Sequence, residues 1–199
     1  NQRQQARDQK HHQQGEGERV TKHTTAAFCL SPISAQLFRQ AVESMRREKR
    51  MENLRLDLDV VVTTSTGEAT TLRDQLGGGK ALLVDFWASW CGPSMALMPE
   101  LRKKAQQLGK HGVVVVGMNT DSQNAEELAD KVRREKDMNL PWLVEPEDRP
   151  YSTALDVKSI PAMALVAADG RVLFFGHPQS PDLWRALSLV DPGIQPPEG

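Results

Sequence analysis

The sequence predicts an α/β fold, a central mixed β-sheet with helices on both faces, preceded by an N-terminal extension. Three observations predict it. Ala81–Trp87 is an apolar run broken by one acid, the length and composition of a strand buried on both faces. Segments of strand and helix periodicity alternate after it, as parallel strands joined by crossover helices require. The alternation closes on two apolar stretches, Ala162–Ala167 and Arg171–Phe175, joined by Ala168-Asp169-Gly170 as a hairpin.

The composition allows this fold and removes other classes. At 199 residues, 39% apolar and 26% charged, the chain suits one domain with an appendage. Lys and Arg number 25 against 26 Asp and Glu. No global basic excess argues for nucleic acid. No apolar run approaches the roughly 18 residues of a membrane span. Two cysteines are too few for a stapled mini-domain or a four-cysteine zinc site, and neither a metal nor a cofactor is expected. The first residue is Asn1 rather than Met, which suggests a processed or truncated product.

Charge and composition divide the chain. Residues 1–53 hold ten Lys and Arg against six Asp and Glu, whereas the remainder holds 15 against 20. Residues 1–30 are read as a disordered polar tether, since up to residue 25 Val20 is the only aliphatic side chain larger than Ala. His11, His12 and His23 lie there as solvated side chains rather than a metal cluster. Residues 31–53 predict an amphipathic basic helix. Ser31-Pro32 supplies a start, Ile33, Leu37, Phe38, Ala41, Val42 and Met45 form one face, and Arg46 to Arg50 place cations at the end. Such a helix docks on the following domain or on a partner chain, or lies on a membrane surface.

The domain spans 54–190. Leu54–Val60 alternates as a half-buried strand that Val61 and Val62 extend. Ser65–Glu68 turns the chain, and Ala69–Leu72 returns as a short strand. Gly77-Gly78-Gly79-Lys80 lacks phosphate-loop spacing and is read as a connector. After the central strand, Met95–Leu108 has helical periodicity, Val113–Met118 is a second buried strand, and Asn124–Met138 is an exposed amphipathic helix. Pro141–Val144 reads as a short strand, Pro150–Leu155 as a helical turn, Pro181–Val190 as the last helix and 191–199 as a flexible tail.

Cys91 carries the chemistry. It lies where a buried strand turns into a helix, and unpaired N–H groups and the helix dipole there favour a thiolate. Gly92 lets the backbone approach closely, Pro93 opens the helix, and Trp87 and Trp90 supply apolar surroundings. The plain alternative is a small buried hydrophobe.

The stretch Val84-Asp-Phe-Trp-Ala-Ser-Trp-Cys-Gly-Pro93 resembles the active-site segment of the thioredoxin-like superfamily. Pro99, eight residues after Cys91, matches that family's helix-kinking proline, and Ser159-Ile160-Pro161 matches its cis-proline loop. The lead-in strands and the insert near 120–150 look most like the TlpA/ResA-like extracytoplasmic thiol–disulfide oxidoreductases. The resemblance covers about 54–190 and implies disulfide exchange through Cys91 at an extracytoplasmic location. It also implies a buried acid, Asp85, that exchanges protons with a thiol; the plain alternative is a buried acid bonded to Ser or backbone. Ile160 and Pro161 would bind an extended client beside Trp90, Gly92 and Pro93, flanked by Met95 and Met163. The family's partner lysine has no match on Val113–Met118.

The departure is Ser94, where the pattern Cys-x-x-Cys has its second cysteine. A hydroxyl cannot resolve a mixed disulfide. It can hydrogen-bond the Cys91 thiolate. A natural monothiol variant and an engineered trapping substitution both fit. Cys29, 62 residues before Cys91, is a free or intermolecular thiol, or a resolver if the helix folds back. The expected partners are a disulfide- or thiol-bearing client protein and an external thiol or redox partner. A membrane tether upstream or self-association through 33–51 is a further expectation. The competing function is a redox-impaired binding module that holds a client in the cis-proline groove. A peroxidase is disfavoured, because Phe86–Cys91 departs from the Pro-x-x-x-Thr-x-x-Cys pattern.

Overall fold

The computed structural model describes residues 32–196. The expectations for the tether, its histidines, Cys29 and Ser31 lie outside the described residues. The described residues divide between two units, 32–41 in the first and 42–196 in the second. Helix α1, Pro32–Glu52, begins in the first, where Ile33, Leu37 and Phe38 are exposed. It ends in the second, where Met51 packs against the core.

The second unit is built on one seven-stranded sheet. Its strands are β1 (Val61–Thr64), β2 (Ala69–Thr71), β3 (Ala81–Trp87), β4 (Val113–Asn119), β5 (Trp142–Val144), β6 (Ala162–Ala167) and β7 (Val172–Gly176), in the order β2-β1-β5-β4-β3-β6-β7. β3 runs parallel to β4 and antiparallel to β6, so all its residues are buried, as the apolar run predicts. Helices α2 (Leu72–Leu76) and α5 (Pro150–Leu155) cover one face with Leu82, Val84 and Phe86. Helices α3 (Gly92–Gly109), α4 (Ala125–Glu135) and α6 (Pro181–Val190) cover the other with Leu83 and Trp87. This is the thioredoxin-like arrangement that the sequence predicts.

Two expectations are corrected. Leu54–Val60 is not a ladder strand. Leu56 and Leu58 are buried and their neighbours mostly exposed, so the alternation is real. Only Arg55 bridges Arg171, however, and the Asp57 carboxylate then accepts from Asp59 N, which bends the chain before β1. Gly170 fixes this approach. It takes φ 86°, accepts through its carbonyl from Leu56 N at 2.8 Å, and leaves no room for a Cβ against the Leu56 carbonyl. The second correction concerns residues 191–196, expected as flexible tail. Ile194 is 3% exposed and joins the core under α6, while Asp191 pairs with Lys80 at 2.8 Å. The buried Ile194, the Asp191–Lys80 pair and the Gly193 N–H donating to the Asp191 carboxylate at 2.8 Å hold this turn together.

Gly117 of β4 sits between Asp85 of β3 and Trp142 of β5, and the Trp142 ring lies across it. A methyl group there would overlap that ring. Gly117→Ala is expected to lower stability by about 1–3 kcal/mol through overpacking. A urea midpoint equal to that of the unsubstituted chain would show that the ring yields freely.

Candidate active site

The site forms at the end of β3, where two loops meet. Thr120 N donates to the Trp87 carbonyl at 2.8 Å, and the Asp121 carboxylate accepts from Ser89 N at 2.9 Å and from Asn119 Nδ2 at 2.8 Å. The loop after β4 thereby fixes the turn after β3. Cys91 N closes that turn on the Ala88 carbonyl, and Cys91 becomes the N-cap of α3, with Pro93 in the first turn. Trp90, thrown outward by the turn, is 73% exposed, and Gly92 and Pro93 are exposed beside it.

Cys91 is 6% exposed, and its Sγ donates to the Ile160 carbonyl at 3.6 Å. The Ile160–Pro161 bond is cis. The backbone N–H of Ile160 has no protein partner among the described residues. The thiol, Ile160, Pro161 and Trp90 are therefore brought together. Met163 is not part of this surface. It is buried at 2% exposure opposite Asp85, because β6 enters the sheet between β3 and β7. Met95 is half-buried, and Met98 belongs to the core.

Ser94 lies one turn along α3. It is 2% exposed, and among the described residues its hydroxyl has no hydrogen-bond partner, so the expected bond to Cys91 is not made. Asp85 shares a sheet face with Leu83 and Trp87, between Gly117 and Met163 on the neighbouring strands. Burial pushes its carboxyl from the ordinary 3.8 to about 7, with Lys104 opposing the rise. The Trp87 and Trp142 rings stack on the same face with their centres 4.7 Å apart, and among the described residues their Nε1 groups also lack partners.

Lys104 escaped the sequence analysis. Ser94, Met98, Leu101, Lys104 and Leu108 are the buried face of α3, so helical spacing alone places this lysine inside. Its Nζ donates to Glu100 Oε1 at 2.6 Å and to the Pro178 carbonyl at 3.4 Å, and it stands 5.8 Å from the Trp184 ring centre. β4 carries no lysine, and the cation that acts electrostatically on Asp85 is Lys104 of the helix. Lys104→Met is therefore expected to move the Asp85 midpoint above about 7, read by carbon-detected NMR titration. An unmoved midpoint would mean that the lysine serves Glu100 alone. Among the described residues no group of three or more His, Cys, Asp or Glu is placed to hold a metal. No helix among them is long and apolar enough to cross a membrane.

The model of the AhpC/TSA family matches residues 55–175, well over half of the chain. The chain belongs to the AhpC/TSA family. Curated relatives include thioredoxin 1 of Synechococcus elongatus, 40% identical over 60 residues, which are 30% of this chain and 55% of that protein. Thioredoxin-like protein YneN of Bacillus subtilis is 29% identical over 87 residues, 44% of this chain and 50% of that protein. The matches thus span little more than half of these relatives' lengths. Solved structures of similar fold include the thioredoxin domain of a thiol-disulfide oxidoreductase from Bacteroides vulgatus. It has TM-score 0.55 and 21% identity, with 68% of this chain and 93% of that one covered. A secreted Mycobacterium tuberculosis disulfide oxidoreductase homologous to Escherichia coli DsbE gives TM-score 0.52 at 20% identity, covering 71% and 98%. Family membership confirms the thioredoxin-like fold expected from residues 84–93, 99 and 159–161.

Proposed function

We propose that this chain is a thiol–disulfide oxidoreductase that attacks client disulfides through Cys91. The single observation that carries this reading is the meeting of Cys91 Sγ with the Ile160 carbonyl, 3.6 Å away, at the start of a helix. An extended client would pair its backbone with Ile160, whose N–H is available, and so bring a cystine onto the thiol. The Cys91 thiolate then attacks one sulfur. The client S–S bond breaks, a mixed disulfide forms, and the second client sulfur leaves as a thiolate that takes a proton from solvent. Because Ser94 offers no second thiol, release falls to an external thiol. Its thiolate attacks the client sulfur of the mixed disulfide, frees Cys91 and leaves the client joined to the external thiol, and a further thiol completes reduction. The names of the relatives and fold neighbours support this class of reaction and an extracytoplasmic setting, where client disulfides persist.

The test is stoichiometric. The chain is mixed with a disulfide-bonded peptide, quenched in acid and weighed intact. A product one peptide heavier is expected, absent in Cys91→Ser and discharged by added thiol. No adduct from the unsubstituted chain would overturn the reading. Ser94 itself favours one alternative, a binding module whose thiol no longer turns over. In that case Cys91→Ser would bind client peptides as tightly as the parent.

A further inference from the structure

A recess opens beside the candidate thiol, and a larger one adjoins it across a common wall of Thr120, Ser122 and Arg149. They differ in charge. The larger, about 750 Å³, is lined by Asp121, Glu126, Glu127, Glu145 and Glu147. The smaller, about 230 Å³, lies between Trp90 and Ile160, the residues that flank Cys91, and no acid lines it. Its polar walls are the cations Arg149 and Lys158 and the side chains of Thr120, Ser122, Ser152 and Ser159, of which Thr120 and Ser152 already bond the Trp87 carbonyl and Glu145 through their hydroxyls.

The acids near this smaller recess have hydrogen-bond partners of their own, although the Glu145 carboxylate also attracts Arg149 and offsets part of its charge. The Glu145 carboxylate accepts from Ser152 N at 2.7 Å and from the Ser152 hydroxyl. Asp121 is taken by Ser89 and Asn119. Asp156 pairs with Lys158 at 3.1 Å at the rim, where it offsets part of that charge. Arg149 Nη2 donates to the Thr120 carbonyl at 2.8 Å, which pins the guanidinium to the wall. Among the described residues its other N–H groups make no hydrogen bond, and a guanidinium carries five such donors in a fork that fits a carboxylate. The recess therefore combines a fixed donor fork, a second cation, two hydroxyls and an aromatic wall next to the nucleophile.

We propose that this recess receives the carboxylate side chain of a client residue adjacent to the attacked cysteine, so that the preferred substrates are cystines with an acidic neighbour. The inference rests on the proposed exchange through Cys91. Neighbouring residues of an extended chain lie about 3.3 Å apart along it, so a side chain one or two positions from the client sulfur reaches the space between Trp90 and Ile160. A basic neighbour would meet Arg149 there and be disfavoured.

The experiment uses the full chain and peptides whose single cysteine carries thionitrobenzoate as the leaving thiol, with Glu, Gln or Lys at the adjacent position. Release of coloured thiol gives the second-order rate of attack. The Glu peptide is expected to react about 10-fold faster than the Gln peptide, with the Lys peptide slowest, and the ratio should shrink from 50 mM to 500 mM salt. Arg149→Gln and, separately, Lys158→Glu should drive the Glu-to-Gln ratio toward one. Lys158, being exposed, gives a readable variant even if Arg149→Gln fails to fold. Equal rates for the three peptides, a preference for Lys, or a Glu preference that survives Lys158→Glu and a folded Arg149→Gln would overturn the inference while leaving the exchange reading intact. If no peptide reacts, the exchange reading falls and takes this inference with it.

Discussion

If the chain works through Cys91 as proposed, Ser94→Cys is expected to let it reduce disulfides repeatedly with a suitable electron donor and without external thiol to release the mixed disulfide. Position 94 lies one helical turn from Cys91 on the buried face of α3. A thiol held there attacks at an effective concentration far above any free thiol, so release should quicken at least ~100-fold over millimolar external thiol. The same substitution should not harm the fold. The Ser94 hydroxyl is buried without a partner, and such a group costs about 1–3 kcal/mol. Sulfur is the less polar occupant of a buried position, so the melting temperature should rise or hold. Insulin or model-peptide reduction by the two forms, with Cys91→Ser as blank, reads the gain. If Ser94→Cys folds and gains nothing, the missing second thiol is not what limits turnover, and the binding-module reading becomes the better one.

The order of strands and helices was legible because β3, β4 and β6 are apolar runs with no competing periodicity, and because Gly170 and the prolines at 93, 150 and 181 mark boundaries that few conformations satisfy. Leu54–Val60 misled for a physical reason. Alternating burial requires only that every second side chain face the core. It does not require a neighbouring strand, and here the chain crosses the end of the β6–β7 hairpin and leaves it through the Asp57 turn. The end of the chain misled in the opposite sense, since Ile194 sits alone among polar residues and turn formers, yet finds the gap beneath α6.

Much less of the candidate site could be read in advance. Cys91, Ser94 and Asp85 belong to one contiguous stretch, in which the strand-to-helix turn singles out Cys91 and the family resemblance singles out Asp85 and Ser94. Lys104 was legible in principle from its three- and four-residue spacing to Leu101 and Leu108, but a lysine on an apolar face is ordinarily taken to snorkel outward. Here Glu100, the Pro178 carbonyl and the Trp184 ring hold its ammonium inside. The basic recess was not legible at all. Trp90, Ser122, Arg149 and Ile160 come from four separate segments, and only the sheet order β5-β4-β3-β6 brings those loops to one end.

Asp85→Asn is expected to stabilise the protein, and by an amount that depends on pH. In the unfolded chain the carboxyl ionises near its ordinary 3.8, and in the folded chain near 7. Between these values the native state holds a proton that the unfolded state has released. Stability therefore falls as pH rises through this window, by at most about 1.4 kcal/mol per pH unit, and levels off above about 7. Over the whole window the loss is on the order of 4 kcal/mol, undiminished by solvent screening because the group lies in the core. The amide cannot ionise and escapes that loss. The two proteins should thus be of similar stability near pH 4 and diverge to their full difference by pH 8, which for a domain of this size is a gap of about 10 °C in melting temperature. Urea titrations at pH 4.5, 6 and 8 measure it. A gap that does not grow with pH would mean that the carboxylate ionises inside the protein without penalty, and Asp85 could then not act as a proton-exchanging group near neutrality. The same titration links stability to chemistry. With a thiol restored at position 94, the ionised Asp85 becomes a base for it, so turnover should climb as pH rises through about 7, and Asp85→Asn in that background should flatten the climb.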